Sequence, residues 1–183
     1  MPPEIRFRPL SEADIPMLKR WLEDPDVSPW YQEDSTELDA LRASYLPMIT
    51  GEEPTRGYII QVGGRDAGYI QCYVIDDHPD YARQIAVDPG AVGIDIFIGE
   101  PWARGRGYGT AAIRTLLREV VFGEMGAAVA IIAPSPDNAR AIRSYERAGF
   151  TWVKTVPVVD ESPANTGDEY IMRLTREDFT SRS

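Results

Sequence analysis

A glycine-rich turn between a strand pattern and a helix pattern most constrains the fold of this chain. In Val92–Gly99, valine and isoleucine alternate with glycine, aspartate and phenylalanine, which is the period-two pattern of a β-strand. Arg104–Thr110 follows with the sequence Arg-Gly-Arg-Gly-Tyr-Gly-Thr, and from there to about Phe122 apolar residues recur at helical spacing. A strand, a glycine-rich turn and a helix in this order indicate a strand–helix unit of the kind found in α/β folds.

The remaining patterns predict hairpins mixed with strand–helix–strand units. The predicted strands are Ile5–Pro9, Tyr58–Val62, Ala67–Ile75, Val129–Ala133, Thr151–Val159 and Glu169–Thr175. The predicted helices are Ser11 to about Leu22, Thr36–Tyr45 with an end near Pro47, and Asn138–Ala148, which Gly149 ends. The stretch Asp76–Asp80 is predicted to be an acidic loop. We therefore expect an α/β fold around a mixed sheet, with residues 1–183 in a single domain.

The composition narrows the possible classes of protein. Of the 183 residues, 43% are apolar and 26% are charged, which is ordinary for a globular domain. A single cysteine, Cys72, excludes an internal disulfide framework, and one cysteine with one histidine supplies too few ligands for a structural zinc site. No apolar run approaches the roughly 20 residues of a membrane-spanning helix, and no secretory signal is recognisable. We therefore expect a cytoplasmic protein with no metal and no membrane partner.

The net charge of −10, from 29 acidic and 19 basic residues, bears on the partners of the chain. It opposes nonspecific binding to nucleic acid, which requires a basic surface, so no nucleic-acid partner is expected. It favours a cationic partner instead. The alternative is that the acidic residues only form a surface that keeps the protein in solution.

The chemistry of Arg104–Thr110 suits a phosphate. Glycines at alternate positions let the backbone turn with its N–H groups pointing inward, and they let a phosphate approach without meeting a Cβ atom. The start of the following helix adds a positive dipole end, and the two arginines add cationic partners. The spacing fits neither the Gly-x-Gly-x-x-Gly of a dinucleotide-binding turn nor the Gly-Lys-Ser/Thr of a P-loop. The alternative is a flexible turn with incidental arginines.

A second segment favours the phosphate over the flexible turn. Asn138–Phe150 reads Asn-Ala-Arg-Ala-Ile-Arg-Ser-Tyr-Glu-Arg-Ala-Gly-Phe and follows a Pro-Ser-Pro turn. Together with Arg104–Thr110 it resembles the GNAT superfamily of N-acetyltransferases, whose members carry Arg/Gln-x-x-Gly-x-Gly/Ala and then Asn…Ala-x-x-x-Tyr-x-x-x-Gly-Phe. The resemblance covers about residues 92–150. It implies a mixed, mostly antiparallel central sheet flanked by helices, in which the splayed strands Gly93–Gly99 and Val129–Ala133 hold acetyl-CoA.

The resemblance also implies roles for single residues. Backbone groups of Ile96, Phe97 and Ile98 are expected to hold the pantetheine arm, and Asn138 its lower part. The residues expected at the diphosphate are Arg104, Gly105, Arg106, Gly107, Tyr108, Gly109 and Thr110. Tyr145 is expected near the sulfur atom, where its hydroxyl can donate a proton to the departing thiolate. The alternative for Tyr145 is a core tyrosine on a helix face.

Transfer to an amine requires a group that binds the ammonium form and removes a proton, and Asp95 is the first candidate. It lies amid apolar residues on the strand expected to contact the acetyl group, where a carboxylate is costly unless it is functional or paired. Asp95 is predicted to act as the base, directly or through water. The alternative is a structural pairing with an arginine. Asp80 and Asp160 are weaker candidates, because loop aspartates usually face water.

Beyond the two motifs, most of the chain resembles the bacterial aminoglycoside 6'-N-acetyltransferases of the GNAT type. The matching segments are Trp30-Tyr31, Tyr45-Leu46-Pro47, Gly68-Tyr69-x-Gln71-x-Tyr73, Asp88-Pro89-Gly90, Gly93-Ile94-Asp95, Pro134-Ser135-Pro136-x-Asn138 and Arg140-Ala141-Ile142-Arg143. The resemblance implies that acids hold the ammonium groups of the drug and that aromatic residues line the same cleft. The acids are Asp80, Asp95 and Asp160, and the aromatic residues are Trp30, Tyr31 and Tyr45. A polycationic amino sugar also fits the negative net charge.

One departure from that family leaves the acceptor open. The family usually has an acid before the Pro-Ser-Pro turn, where this chain has Ala133, and the loss of one carboxylate is expected to cost about 1–3 kcal/mol at one ammonium contact. The loop at residues 160–168 is expected to be longer than in that family, so Asp168 could face the cleft in place of Asp160. The alternative functions are acetylation of a siderophore lysine-type amine or of a protein N-terminus, and a non-catalytic acetyl-CoA-binding module. The presence of both Asp95 and Tyr145 favours a catalytic protein over a binding module. The sequence does not indicate the oligomeric state.

Overall fold

Seven strands form one mixed sheet in the computed structural model, which describes residues 3–182. The strands are β1 (Ile5–Pro9), β2 (Arg56–Val62), β3 (Arg65–Val74), β4 (Val92–Ile98), β5 (Val129–Ile132), β6 (Thr151–Val158) and β7 (Gly167–Thr175). Their order in the sheet is β1-β2-β3-β4-β5-β7-β6. β1 pairs with β2, β5 with β7 and β6 with β7 in antiparallel fashion, whereas β4 and β5 are parallel. The predicted mixed α/β sheet is confirmed.

Helices occupy most of the connections between the strands. Within residues 3–182 they are α1 (Ile15–Leu22), α2 (Leu38–Thr50), α3 (Pro79–Ile85), α4 (Tyr108–Leu116), α5 (Ala139–Ala148) and α6 (Arg176–Ser181). α4 continues as a π-helix over Leu117–Glu124. Short 3-10 turns lie at Glu12–Asp14, Ile75–Asp77, Pro101–Ala103 and Pro163–Asn165. In the described part of the chain, no helix is long and apolar enough to cross a membrane.

The parallel pairing of β4 with β5 is short. Residues 92–94 of β4 lie opposite residues 130–132 of β5. β5 then ends at Ile132, whereas β4 continues to Ile98. The last residues of β4 therefore extend beyond the stretch in which it pairs with β5, as expected for a strand pair that separates at one end.

The end of α2 differs from the prediction. The helix does not stop near Pro47 but runs to Thr50, and Gly51 ends it with a left-handed backbone (φ 80°). Proline removes one helical hydrogen bond, but the buried Leu41 and Tyr45 anchor this helix in the core. Because most helical stability in proteins comes from tertiary packing, the packing outweighs the local effect of Pro47.

The acidic stretch Asp76–Asp80 is not the predicted loop. A 3-10 turn covers its first residues and α3 begins at Pro79. Proline suits the first helical position, because its φ is preset and it has no N–H that requires a partner. Asp80 therefore lies in the first turn of a helix. α6, which no sequence pattern indicated, begins after Thr175, whose hydroxyl accepts a hydrogen bond from the backbone of Asp178.

By its internal contacts the chain divides into two compact units, so the expectation of a single domain stays a prediction. Unit 1 comprises residues 3–71 and 96–109, and unit 2 comprises residues 72–95 and 110–182. The core of unit 1 includes Leu18, Trp21, Leu41, Ile59, Tyr69 and Phe97. The core of unit 2 includes Ile75, Ile85, Val129, Ile131, Val158 and Ile171. Each of β3 and β4 contributes residues to both units.

Candidate active site

The turn before α4 has the backbone conformation of an anion-binding loop. Gly105 (φ 70°) and Gly107 (φ 81°) both adopt the left-handed conformation, which residues with a Cβ atom disfavour. A Cβ atom added at Gly107 would meet no other atom within 4 Å, so the turn is open on that side. Left-handed residues in such turns point successive N–H groups into a concavity that suits a phosphate. α4 begins directly after this turn, at Tyr108.

The side chain of Arg104 binds protein carboxylates. Its guanidinium lies 3.0 Å from a carboxylate oxygen of Asp24 and 3.0 Å from one of Asp26, and its Nε donates to the carbonyl oxygen of Ile98 at 3.0 Å. Only 11% of the side chain is exposed. Arg104 therefore ties the start of the turn to the end of β4 and to the segment after α1, all within unit 1. Arg106, by contrast, is exposed and is the arginine of this turn that solvent can reach.

Hydrogen bonds within unit 2 fix the position of α5. Asn138 is its N-cap: Oδ1 accepts from the backbone N–H of Ala141 at 3.2 Å, which orients the amide NH₂ group. The hydroxyl of Thr110 on α4 lies 2.8 Å from the hydroxyl of Ser144 on α5. The side chain of Thr110 is thus engaged with α5. Gly149 ends the helix with φ 114°, as predicted.

Tyr145 lies on α5 with only 9% of its surface exposed. Burial raises the pKa of its phenol, and the negative charge of Asp95 raises it further. The phenol is therefore protonated at neutral pH, which is the form that a proton donor requires. Asp95 itself is half-buried on β4.

Asp95 belongs to a group of two carboxyl groups and two phenols in unit 2, called here the acidic cluster. Its other members are Tyr73 on β3, Tyr81 on α3 and Glu169 on β7. The Tyr81 hydroxyl donates to Glu169 Oε2 at 2.7 Å. Burial raises the pKa of Glu169 to about 7; the hydrogen bond from Tyr81 opposes this shift and the charge of Asp95 adds to it. Burial is also the main reason why the pKa values of both phenols are raised. Glu169 is therefore close to its midpoint of ionisation at neutral pH.

Strand alternation and one glycine place the acidic cluster against the core of unit 2. A Cβ atom at Gly93 would lie 2.7 Å from Cζ of Tyr73, so the glycine allows the tyrosine ring to cover this face of β4. Asp95, two residues further on, faces the same side. On β7, Glu169 shares a face with Ile171, which is fully buried in the core of unit 2. The two carboxyl groups therefore lie at the border of an apolar region, which explains the raised pKa of Glu169.

Aromatic rings cluster in unit 1. The rings that contact one another there are Trp21, Tyr31, Tyr45, Tyr69 and Phe97. Tyr45 is only 3% exposed, and its hydroxyl donates to Glu33 Oε1 at 2.6 Å. Tyr31 is half-buried and Trp30 is 48% exposed. Of the three aromatic residues predicted to line a cleft, Trp30 and Tyr31 therefore present surface, whereas Tyr45 mainly supports the other rings.

The other predicted acids lie at the surface of unit 2. The carboxylate of Asp80 is 85% exposed and pairs with Arg83 one turn further along α3. Asp160 is exposed after β6, and its Oδ1 accepts from the backbone N–H of Ser162 at 2.8 Å. Asp168, its alternative, is exposed near the start of β7. Of the three acids predicted to hold ammonium groups, Asp95 belongs to the acidic cluster, whereas Asp80 and Asp160 do not.

Sequence reasoning missed three members of this cluster: Tyr73, Tyr81 and Glu169. Tyr73 is the last residue of Gly68–Tyr73, one of the segments that carry the resemblance described above, and this segment could have indicated it. Glu169 is the first residue of a predicted strand and lies two residues before Ile171, on the same face of that strand. This was a weaker signal. Nothing in the sequence indicated that Tyr81 lies near Glu169. Among residues 3–182 no group of three or more His, Cys, Asp or Glu side chains is arranged to hold a metal ion.

The chain is similar to acetyltransferases of known sequence and structure. Residues 11–158 match the family model described as an acetyltransferase (GNAT) domain. Aminoglycoside N(6')-acetyltransferase type 1 of Klebsiella pneumoniae is 34% identical over 158 residues, which cover 85% of this chain and 78% of that protein. Aminoglycoside acetyltransferase AAC(6')-Ib, solved with coenzyme A and kanamycin, is 32% identical with a TM-score of 0.83, covering 98% of this chain and 100% of that chain. The same enzyme solved with paromomycin and acetyl-CoA has the same identity and TM-score and covers 98% of each chain.

Proposed function

The chain belongs to the GNAT family of acetyltransferases, and from this membership we propose that it transfers the acetyl group of acetyl-CoA to the 6'-amine of aminoglycosides. The observation that carries the proposal is the position of Asp95. Its half-buried carboxyl group lies close enough to Tyr145 to raise the pKa of that phenol. A group that takes up a proton and a group that gives one are both needed for transfer from a thioester to an amine.

Backbone geometry supports the binding of acetyl-CoA. Residues 96–98 continue β4 beyond its pairing with β5, and their N–H and C=O groups suit the amides of the pantetheine arm. The open turn at Gly105 and Gly107, with the start of α4, suits the diphosphate, and Arg106 adds a cation. The oriented amide NH₂ group of Asn138 suits the lower pantetheine. Arg104 contributes by holding the turn in place.

In the proposed reaction, Asp95 binds the ammonium form of the acceptor and takes up its proton, directly or through water. The freed lone pair attacks the thioester carbonyl carbon, so that a C–N bond forms as the C–S bond breaks. Tyr145 donates its proton to the sulfur as negative charge builds there. The nitrogen loses two protons in all: one replaces the proton of Tyr145 through solvent, and the other leaves to solvent from Asp95. The products are an amide and a free thiol.

The charge of the chain supports a polycationic acceptor. The net charge is −10, and exposed acids such as Asp80 and Asp160 attract cations at a distance. We include both acids, together with Trp30, Tyr31 and Tyr45, in the proposed substrate region. Because the cytoplasm supplies acetyl-CoA to enzymes of this kind, the proposal also places the protein there.

The test is an assay of acetyl-CoA-dependent thiol release with a panel of amines. The panel contains kanamycin and tobramycin, a lysine-type amine related to siderophores, and a peptide with a free N-terminus. We expect thiol release with the two aminoglycosides and little with the other amines. Release only with the lysine-type amine or the peptide would assign a different acceptor, and no release with any amine would contradict catalysis.

A further inference from the structure

We propose that Glu169 supplies a second substrate-binding carboxylate beside Asp95, close to Ala133, where the family resemblance implies an acid that this chain lacks, and that it binds a second ammonium group of the acceptor. This inference rests on the proposed function, because it concerns how the same acceptor is held. Glu169 is given a binding role in it, and Asp95 keeps the role of base.

Glu169 is half-buried, and its carboxyl group has no cationic partner from the described part of the protein. Among residues 3–182 no lysine, arginine or histidine forms a salt bridge with it, and its hydrogen bond comes from the neutral hydroxyl of Tyr81. The cations on neighbouring strand positions are engaged elsewhere. Arg173 donates to both carboxylate oxygens of Asp88 at 2.8 and 2.9 Å, and Lys154 donates to a backbone carbonyl. A half-buried carboxylate at the border of an apolar core is costly until a cation arrives.

Glu169 lies beside Ala133, the position at which the family resemblance implies an acid. β5 and β7 pair in antiparallel fashion up to Ile132, and the backbone N–H of Tyr170 still donates to the carbonyl oxygen of Pro134 at 2.8 Å. The two chains therefore keep their register just after β5. In this register Ala133 and Glu169 are diagonal neighbours on the same face, on the order of 7–8 Å apart, with their Cβ atoms somewhat closer.

The packing around Ala133 is compatible with a substrate-binding acid on β7 instead of one at the end of β5. Ala133, Tyr73 and Tyr81 all pack against the core of unit 2, so the face that carries Asp95 and Glu169 is apolar at its base. The methyl group of Ala133 leaves more room on that face than an aspartate would. A glutamate side chain is one methylene longer than an aspartate, which shortens the distance that the diagonal position introduces.

The electrostatics of the acidic cluster favour an acceptor with more than one amine. The groups that face Glu169 are Tyr81 from α3, Asp95 from β4 and Tyr73 from β3; in the free protein, burial and the charge of Asp95 both oppose its ionisation. A bound ammonium group reverses this effect, because it stabilises the carboxylate. An acceptor with one amine at Asp95 and a second at Glu169 therefore satisfies both acids at once.

The first test is Glu169→Gln, which keeps a hydrogen-bond acceptor for Tyr81 but removes the charge. We expect the KM for kanamycin to rise about 10- to 100-fold, while kcat and the KM for acetyl-CoA stay close to the wild-type values. Glu177→Gln, at an exposed position of α6, is the matched control for the loss of one negative charge. An unchanged KM for kanamycin in folded Glu169→Gln would overturn the proposal.

Two further variants separate binding from support of the fold. Tyr81→Phe removes the hydrogen bond but keeps the carboxylate, so its effect on the KM for kanamycin should be much smaller than that of Glu169→Gln; an equal effect would assign Glu169 a structural role. The double variant Ala133→Asp/Glu169→Gln moves the acid to position 133, where the family resemblance implies one, and should restore most of the lost affinity. A double variant no better than Glu169→Gln would contradict the exchange of positions. Thiol release by the wild-type protein is measured first. If the wild type releases no thiol, the proposed function itself is contradicted, whereas the results with the variants bear only on the role of Glu169.

Discussion

The negative charge of Asp95 on β4 raises the pKa of the Tyr145 phenol on α5, in addition to the larger effect of burial. Both residues belong to unit 2. Asp95 lies in the strand pattern before the glycine-rich turn, and Tyr145 lies in the segment Asn138–Phe150. The carboxyl group favours the protonated form of the phenol. Before any substrate binds, Tyr145 is thus held in the form that can protonate a leaving thiolate.

Asp95→Asn is expected to lower kcat/KM for kanamycin by about 10²- to 10⁴-fold, because an amide neither takes up the proton nor attracts an ammonium group. Binding of acetyl-CoA should stay close to that of the wild type. Steady-state kinetics and calorimetric titration measure the two properties. Asp77→Asn, at an exposed position, is the control. Unchanged turnover in Asp95→Asn would remove this residue from the mechanism.

Tyr145→Phe is expected to lower kcat by about 10²-fold, since the thiolate then leaves without a positioned proton donor. Because burial and Asp95 raise the pKa of this phenol, its ionisation should cause no loss of wild-type activity below about pH 10. A pH profile of kcat for both proteins tests this. An alkaline decline near neutral pH that is present in the wild type and absent in Tyr145→Phe would contradict the assignment.

Arg104→Ala and Arg106→Ala are expected to affect different properties. Arg104→Ala removes the cation that pairs with Asp24 and the donor to the backbone carbonyl oxygen of Ile98, so it should lower the free energy of unfolding by about 1–3 kcal/mol. Arg106→Ala removes an exposed side chain, so stability should change by no more than about 0.5 kcal/mol, while the KM for acetyl-CoA rises. Urea unfolding and kinetics on both variants distinguish the roles, and the reverse pattern would refute them.

Glu169→Gln is expected to stabilise the free protein at about pH 8 but much less at about pH 5. The pKa of Glu169 is about 7 in the folded protein, against an ordinary value near 4.5 in the unfolded chain. The folded state therefore keeps a proton that the unfolded chain releases, and the stability linked to it is lost as the pH rises from about 4.5 to 7. Glutamine does not ionise, so the gain at about pH 8 is up to roughly 3 kcal/mol. Urea unfolding at both pH values, with Glu177→Gln as the control, measures it; equal effects at both would contradict the raised pKa.

Features that depend on local backbone preference were predictable from the sequence. The hairpin turn at Gly63 and Gly64 requires positive φ values, and the structure has 58° and 80° there. The glycine-rich turn and the Gly149 end of α5 have the same origin, because glycine is the residue that adopts this conformation without strain. Alternation of apolar residues likewise indicated β4. The roles of Asp95 and Tyr145 stay predictions until the variants are measured.

Features that depend on distant contacts were not predictable. The sequence did not indicate the ion pair of Arg104 with Asp24, which lies 80 residues earlier in the chain; a contact of Arg104 with a diphosphate stays a prediction. The hydrogen bond between Tyr81 and Glu169 joins residues 88 positions apart, and no periodic pattern records such a pair. α2 passes Pro47 because of its packing in the core. In each case the deciding energy comes from tertiary contacts, which a single sequence does not specify.

Acetyl transfer to the 6'-amine is tested directly by mass spectrometry of kanamycin after incubation with acetyl-CoA and the wild-type protein, with thiol release followed in the same sample. We expect one acetyl group on the 6'-amine for each thiol released, and loss of both products in Asp95→Asn. Thiol release without acetylated kanamycin, or acetylation that persists at the wild-type rate in Asp95→Asn, would contradict this expectation.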